Sequence, residues 1–274
     1  MGARKVLVTG CSSGIGLAVA VRLAKDELRR FKVVATMRDL DRREALEKAA
    51  GETLNRSLEI RQLDATCEDS IRECVNSLSD RRVDVLVNNA GVGMIGSLEC
   101  QSVSDMQELF STNFFGLVRL VKELLPDMKQ RQSGHIVVMS SVLGFQGLLF
   151  NDVYAASKFA VEGFCESLAV QAMKFNCLNT FVFFETVVIL KLLTMYSMLM
   201  MHKHSCILIV SKNPPFRHQT NRLYVPLTAM KHADPTGQLP IDAFYKMIFQ
   251  HDRMLNATLS ILRILHRRMG HGAA

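Results

Sequence analysis

The sequence predicts an α/β fold with a doubly wound parallel sheet, in a single domain that ends in C-terminal helices. Strand and helix signals alternate regularly over the first 175 residues, which is typical of βαβ units. The strand segments are apolar on both faces, as expected for a sheet that helices cover on both sides. A glycine-rich string between the first strand and the first helix indicates a phosphate site at one edge of this sheet.

The elements of this core follow from short apolar runs and from helical spacing. The predicted strands are Lys5–Thr9, Lys32–Met37, Leu58–Leu63, Val83–Asn88 and His135–Ser140. The predicted helices are Gly14–Arg30, Arg42–Ala50, Glu68–Ser79, Val103–Gln130 and Val153–Phe175. Crossovers between parallel strands should be right-handed. We therefore assign residues 1–175 to a binding and catalytic core.

The regular pattern breaks at residues 176–212, an atypical apolar segment. Within it, Phe181–Met201 has 21 residues and is long enough to cross a bilayer. Glu185 and Lys191 lie inside this stretch, and each charge costs about 2.5–3.5 kcal/mol near a bilayer centre. We therefore favour a strand followed by a buried or surface-seeking helix over a membrane span.

Residues 213–274 form a predicted C-terminal helical cap. Two amphipathic helices, Ile241–Gln250 and Met254–Arg267, are expected to cover the open edge of a substrate cleft. Basic residues behind apolar ones near the end of the chain suit a membrane-surface helix better than a nucleic-acid reader.

Composition places the chain among cytoplasmic proteins without a nucleic-acid partner. The formal net charge is +7, which indicates a solvated basic surface or attraction to anionic ligands or membranes. The seven cysteines are scattered, with no CxxC pair, and read as reduced thiols rather than disulfides or metal ligands. The chain runs straight into a strand, so no signal peptide is expected.

The glycine-rich string is Thr9–Gly16. Gly10, Gly14 and Gly16 allow a tight turn and a close approach of the backbone to a pyrophosphate. The amides that open the helix, including that of Ile15, add the positive end of the helix dipole. This strand–turn–helix context predicts a Rossmann-type dinucleotide site.

The end of the second strand indicates which dinucleotide binds. An NAD site usually carries an acid there, whereas this strand ends in Met37-Arg38. A guanidinium at Arg38 would pair with a 2′-phosphate, and the hydroxyl of Ser12 would add a contact. Asp39 beside it complicates this interpretation, and Arg38 could also simply face solvent. We predict NADP(H) as the cofactor.

A candidate catalytic set follows the fifth strand. Tyr154 and Lys158 are four residues apart and share one helix face. A nearby ammonium favours the phenolate and would lower the pKa of the tyrosine. Ser141 follows a strand, and its hydroxyl could hydrogen-bond a substrate carbonyl oxygen. Together these groups predict proton transfer to a carbonyl that receives hydride.

From residue 4 to about 175, these strings resemble the short-chain dehydrogenase/reductase family. The string Asn88-Asn89-Ala90-Gly91 also matches in order and spacing. The resemblance implies that Asn89, Ala90 and Gly91 border the cofactor, and that Asp64 contacts its adenine. It also implies that Asn113 supports a water-based proton relay. Tyr154 and Lys158 belong to the cofactor-binding set as well as to the catalytic one.

A narrower resemblance concerns the 17-beta-hydroxysteroid dehydrogenase type 1 branch, which also holds retinol dehydrogenases. It rests on the strings Ala35–Leu40, Phe150–Tyr154 and Ala155–Gly163. The branch implies a small apolar carbonyl or alcohol substrate, either a retinoid or a steroid. We favour all-trans-retinal reduced to all-trans-retinol over oestrone and oestradiol, since His135–Gly147 looks closer to the retinal reductases. A homodimer and a peripheral membrane association stay open.

The family pattern fails after Phe175. A Pro-Gly-Pro-like turn that wraps the nicotinamide is absent, and residues 176–212 replace the last core strand and the substrate lid. One interpretation is an alternative lid whose methionines accept a long apolar ligand. The other, which the poor patterning favours, is a variant with a damaged site that binds only nucleotide or a partner.

Overall fold

The computed structural model describes residues 2–183, 204–211, 213–220, 229 and 231–246. Residues 1–184 and 198–220 form one compact unit, and residues 185–197 and 221–274 form another. The first unit holds the sheet and the helices around it. Of the second unit, the structure describes α7 (Gln238–Tyr245) and helical residues 231–233 before it.

Seven parallel strands form one sheet in the order β3-β2-β1-β4-β5-β6-β7. They are β1 (Arg4–Val8), β2 (Phe31–Met37), β3 (Leu58–Gln62), β4 (Val85–Asn88), β5 (Gly134–Met139), β6 (Cys177–Phe183) and β7 (Arg217–Gln219). The strand order reverses between β1 and β4, where open α/β sheets bind their ligands at the carboxyl ends of the strands. This architecture confirms the predicted fold class.

Helices cover both faces of the sheet. They are α1 (Gly14–Ala24), α2 (Glu44–Ala50), α3 (Glu68–Asn76), α4 (Val103–Phe110), α5 (Gly116–Arg131) and α6 (Asp152–Met173). The predicted helix Val103–Gln130 is divided by one π-helical turn, Ser111–Phe115. A further helical stretch occupies 204–210.

Two apolar cores explain why the strands read as continuous hydrophobic runs. Successive residues of a strand point to opposite faces, so Val6 and Val8 join one core cluster while Leu7 joins the other. The first cluster includes buried residues of α1 and α2, and the second includes residues of α3, α5 and α6. This two-sided packing fixes the carboxyl ends of β1, β4 and β5 next to one another.

The atypical segment begins as a strand. β6 pairs in parallel with β5, from Cys177 beside Gly134 to Val182 beside Met139. Residues 217–219, which the sequence grouped with the C-terminal cap, instead extend the sheet as β7, because β6 offers them a free edge. Most of Phe181–Met201 and all of Met254–Arg267 lie outside the described residues. Within the part of the chain that is described, no helix is long and apolar enough to cross a membrane.

Candidate active site

The glycine-rich loop connects β1 to α1 in a conformation that side chains would disturb. Gly10 and Gly14 adopt positive φ angles of 71° and 61°, where glycine is strongly favoured. A Cβ on Gly16 would lie 2.5 Å from Asn89 Nδ2 and still closer to the carbonyl oxygen of Gly10. The loop therefore folds tightly against the chain that follows β4.

Thr9 and Asn89 join this loop to the end of β4. The Asn89 side chain donates to the carbonyl oxygens of Thr9 at 2.9 Å and Gly10 at 3.1 Å. In return, the backbone amides of Asn89 and Ala90 each donate to the Thr9 hydroxyl at 3.0 Å. These four hydrogen bonds satisfy polar groups of both segments and hold the loop open toward the carboxyl edge of the sheet.

A cavity of about 230 Å³ opens at this edge. Six of the predicted cofactor-binding residues line it: Gly10, Ser12, Arg38, Asp64, Ala90 and Gly91. Gly14, Gly16 and Asn89 do not line the cavity, although the last two pack against Gly10 behind it. Ile15 packs against the core cluster on the α1 side of the sheet, so its side chain serves the core.

Two arginines stand at this cavity, and sequence reasoning found only one of them. Arg38 follows β2, and Arg42 ends the short 3₁₀ turn Leu40–Arg42 that comes next. Both are exposed, and both line the cavity. Among the described residues, neither guanidinium has an ion-pair partner, whereas the adjacent Arg43 pairs with Glu47 at 3.2 Å. The sequence carried no signal for the second, because Arg42 read as the first residue of the predicted helix Arg42–Ala50.

The acidic groups beside these arginines are engaged elsewhere. Asp39 accepts a hydrogen bond from the Asp41 amide at 3.0 Å and caps the 3₁₀ turn. Asp64 accepts from the Thr66 amide at 2.8 Å and from its hydroxyl at 2.7 Å. The cavity therefore combines two unpaired cations with carboxylates that already have local donors, a balance that suits an anionic ligand.

Ser141 and Tyr154 meet where β5 ends. Ser141 is buried, and its hydroxyl accepts from the Leu143 amide at 3.1 Å. Its hydroxyl also lies near that of Tyr154, in the first turn of α6, and influences the ionisation of that phenol. Burial raises the pKa of Tyr154, and the Ser141 hydroxyl opposes that rise. The phenol is thus held protonated and oriented by a neighbouring hydroxyl.

Lys158 lies one turn further along α6 and is 7% exposed. Its Nζ donates to the Met139 carbonyl oxygen at 3.1 Å and stands 5.7 Å from the centre of the Tyr154 ring. Burial lowers the pKa of Lys158 to about 8, while Glu162 raises it. The ammonium therefore faces the end of β5 and the tyrosine ring. The prediction that this ammonium lowers the pKa of Tyr154 is wrong, because burial of the phenol raises that pKa and Lys158 is not among the groups that oppose the rise.

Asn113 connects α6 to the cavity. It lies in the π-helical turn, 2% exposed, and π turns are frequent at functional sites. Its side chain accepts from the Val92 amide at 2.8 Å and donates to the Val92 carbonyl oxygen at 2.9 Å. The same Nδ2 lies 3.2 Å from the Ser157 hydroxyl, next to Lys158. With the amide engaged in this way, the side chain positions the loop after β4.

The chain is similar to known dehydrogenases over most of its length. The family model for short chain dehydrogenases matches residues 4–181. Human retinol dehydrogenase 8 is 46% identical over 295 residues, which cover 94% of this chain and 94% of that protein. Human 17-beta-hydroxysteroid dehydrogenase type 1 is 49% identical over 173 residues, covering 62% of this chain and 53% of that protein.

A solved structure shows the same architecture with a nucleotide bound. It is a metagenomic short-chain oxidoreductase in complex with NADP, with a TM-score of 0.68 and 25% sequence identity. The similarity covers 80% of this chain and 97% of that one. The alignment to retinol dehydrogenase 8 is longer than the 274 residues of this chain. Some residues of that relative therefore align with gaps in this chain.

Proposed function

Because the chain belongs to the short-chain dehydrogenase family, we propose that it is an NADP(H)-dependent oxidoreductase that reduces all-trans-retinal to all-trans-retinol. The carrying observation is the meeting of Ser141, Tyr154 and Lys158 at the carboxyl end of β5. Asn113 links this set, through Val92, to a cavity with two unpaired guanidinium groups.

The residues present fit a dinucleotide with an extra phosphate. Gly10 and Ser12 of the glycine loop line the cavity, and α1 begins directly after the loop, so the positive end of its dipole would favour a pyrophosphate there. Arg38 and Arg42 would hold the 2′-phosphate, since guanidinium groups match phosphate geometry with forked hydrogen bonds. Asp64, already oriented by Thr66, would border the adenine.

Loss of either arginine tests the cofactor assignment. We expect Arg38→Ala or Arg42→Ala to weaken NADPH binding about 10- to 100-fold, because a hydrogen bond to a charged group contributes about 1.5–3 kcal/mol. NADH lacks the 2′-phosphate, so its affinity should stay nearly unchanged. Titration of the intrinsic fluorescence of each cofactor measures both affinities. Arg43→Ala is the matched control, since Arg43 pairs with Glu47; equal losses for both cofactors would count against a phosphate contact.

Each catalytic side chain has a separate part in the proposed reaction. A bound nicotinamide supplies the hydride that the carbonyl carbon receives. The Ser141 hydroxyl hydrogen-bonds the carbonyl oxygen and stabilises the negative charge that develops there. Tyr154 donates its phenolic proton to that oxygen as the carbonyl double bond is reduced to an alcohol. Lys158 stabilises the resulting phenolate and orients the ribose. Asn113 positions the loop after β4, and a relay water at that loop returns a proton to Tyr154.

The extent of the similarity favours a retinoid over a steroid. The match to retinol dehydrogenase 8 covers nearly the whole chain, whereas the match to the steroid enzyme covers 62% of it. Substrate selectivity usually resides in the loops at the carboxyl ends of the strands and not in the common scaffold. The alternative, oestrone reduction, rests on the 49% identity to the steroid enzyme over its 173 matched residues.

A comparison of two substrates tests this choice. We expect purified protein to oxidise NADPH with all-trans-retinal at a kcat/KM at least about tenfold above that for oestrone, a difference of about 1.4 kcal/mol in transition-state binding. Absorbance of NADPH follows both reactions under the same conditions. Preference for oestrone would assign the steroid branch. No turnover with either substrate, by a folded protein that binds NADPH, would favour the variant with a damaged site.

We also propose that the protein forms a homodimer and that it binds a membrane surface. The membrane association follows from the substrate, since a retinoid partitions into lipid. Exposed apolar side chains on α6, Val170 and Met173, and basic residues in the C-terminal stretch 253–268 are the features that support it. Light scattering and sedimentation with anionic liposomes measure the two associations. A monomer that stays in the supernatant would contradict both.

A further inference from the structure

We propose that Glu162 is a positioning residue for this reaction: its buried carboxylate is the counter-charge of Lys158, and Arg217 fixes that carboxylate from β7. This inference rests on the proposed function and deepens it. Glu162 is one of the few buried carboxylates among the described residues, at 6% exposure, and the catalytic roles above do not use it.

Glu162 and Lys158 share one face of α6. They are four residues apart, a spacing that places side chains over one another on a helix. The same loop covers both: a Cβ on Gly144 would lie 3.0 Å from Glu162 Cγ and 3.1 Å from the Lys158 carbonyl oxygen. Lys158 Nζ reaches the carbonyl oxygen of Met139, and the same Gly144 position lies 2.9 Å from the hydroxyl of Ser140, the next residue. Glu162 and the backbone of Lys158 therefore pack against the same glycine at the end of β5, where the Lys158 ammonium also makes its hydrogen bond.

A carboxylate in this place needs compensation. Among the described residues, neither oxygen of Glu162 has a hydrogen-bond partner, and burying an unpaired charge is costly. Burial raises the pKa of Glu162, and Ser140 and Arg217 oppose this rise. Arg217, whose Nε lies 3.5 Å from Oε2, pairs with the carboxylate directly. Lys158 and Glu162 form no ion pair among the described residues, and the charge of Glu162 acts on Lys158 at longer range, where it raises the pKa of the amine.

Arg217 holds Glu162 from outside the catalytic helix. It opens β7 and also pairs with Glu166, one turn further along α6. Ion pairs therefore connect the last strand of the sheet to the helix that carries Tyr154 and Lys158. The groups that face Lys158 are Tyr154 and Glu162 on α6 and the Met139 carbonyl oxygen on β5. Those that face Glu162 are Ser140, Arg217, Glu166 and Cys165.

The test measures the proton affinity of Lys158 directly, so it does not depend on turnover. Trace acetylation of the full chain with acetic anhydride over a pH series, followed by mass spectrometry of the Lys158 peptide, gives the midpoint at which the amine becomes reactive. Since a close opposite charge shifts a pKa by about 1–3 units, Glu162→Gln should lower this midpoint by about one pH unit. The sign follows because Glu162 raises the pKa of Lys158, so its removal lets the proton leave at lower pH.

Matched variants separate positioning from packing. Glu166→Gln removes a charge from the same helix, on the exposed side of Arg217, and should leave the midpoint within a few tenths of a unit. Glu162→Asp keeps the charge and should stay near the wild-type value. If Glu162→Gln does not fold, Glu162→Met replaces it, and the same decrease in the midpoint is expected. An unchanged midpoint in folded Glu162→Gln or Glu162→Met, or an equal shift in Glu166→Gln, would overturn the proposal. Absence of turnover by the wild-type protein would instead contradict the proposed function. The Lys158 titration does not depend on turnover, so it would still test the role of Glu162.

Discussion

Replacing Tyr154 with phenylalanine is expected to lower NADPH-dependent retinal reduction by about 10²–10⁴-fold, the usual contribution of a positioned proton donor. The substitution removes one oxygen from a side chain that lies near Ser141 and keeps the ring beside Lys158. NADPH binding should therefore persist, because Arg38, Arg42 and the glycine loop are untouched. Steady-state rates and a cofactor titration on the same preparation measure the two quantities.

Ser167→Ala is the control for this experiment, because it removes a hydroxyl group from the same helix. Ser167 is exposed on α6, so turnover should stay within about twofold of wild type, as is usual for surface substitutions. Activity of Tyr154→Phe close to that of the control would show that another group donates the proton. A joint loss of NADPH binding and turnover would point to a packing role for the tyrosine.

Gly16→Ala is expected to have the second large effect. The new Cβ would approach the Gly10 carbonyl oxygen and lie 2.5 Å from Asn89 Nδ2, and both groups are already engaged with each other at 3.1 Å. The loop must therefore move, and overpacking of this kind costs about 1–3 kcal/mol. We expect NADPH affinity to fall at least tenfold, which corresponds to about 1.4 kcal/mol, together with a lower unfolding free energy.

Gly163→Ala provides the contrast, since it makes the same chemical change inside another helix. No heavy atom lies within 4 Å of a Cβ at Gly163, and alanine stabilises a helix interior by about 0.5–1 kcal/mol relative to glycine. Urea denaturation and NADPH titration of both variants give the comparison. If Gly16→Ala behaves like Gly163→Ala in both measurements, the close approach of the loop to Asn89 does not support cofactor binding.

The first five strands could be predicted because their signal is local. Four of them, β1, β2, β4 and β5, are short runs with buried residues on both faces, as β1 shows with Val6 and Leu7 in different cores. The edge strand β3 is more polar, and only Leu58 in it is buried. The glycine loop could also be predicted, because local backbone geometry requires its three glycines. Gly10 and Gly14 have positive φ angles, and Gly16 leaves no room for a Cβ. These features depend on neighbouring residues in the chain, and periodicity reports them directly.

Other features depend on contacts between distant residues and left no such signal. Arg42 read as the start of a helix, whereas a 3₁₀ turn after β2 brings it to the cavity beside Arg38. Glu162 read as one polar position among many on α6, and only the approach of Gly144 and Arg217 buries it. The π-helical turn at Asn113 likewise follows from its hydrogen bonds to Val92. Sequence spacing does not report tertiary contacts of this kind.

Whether this chain is a working enzyme or only binds nucleotide depends on the atypical segment, residues 176–212. The structure gives this segment a regular beginning, since β6 continues the sheet beside β5. Tyr154, Lys158 and Ser141 are held by β5 and α6 and not by the segment itself. The account therefore predicts that the chemistry survives the changes after residue 183.

The most direct test is transfer of deuterium from NADPH deuterated at the nicotinamide C4 to all-trans-retinal, with enzyme in excess and the product identified by mass spectrometry. The account predicts all-trans-retinol carrying a single deuterium at the alcohol carbon, formed by wild type and not by Tyr154→Phe. A folded protein that binds NADPH yet forms no deuterated retinol would contradict it.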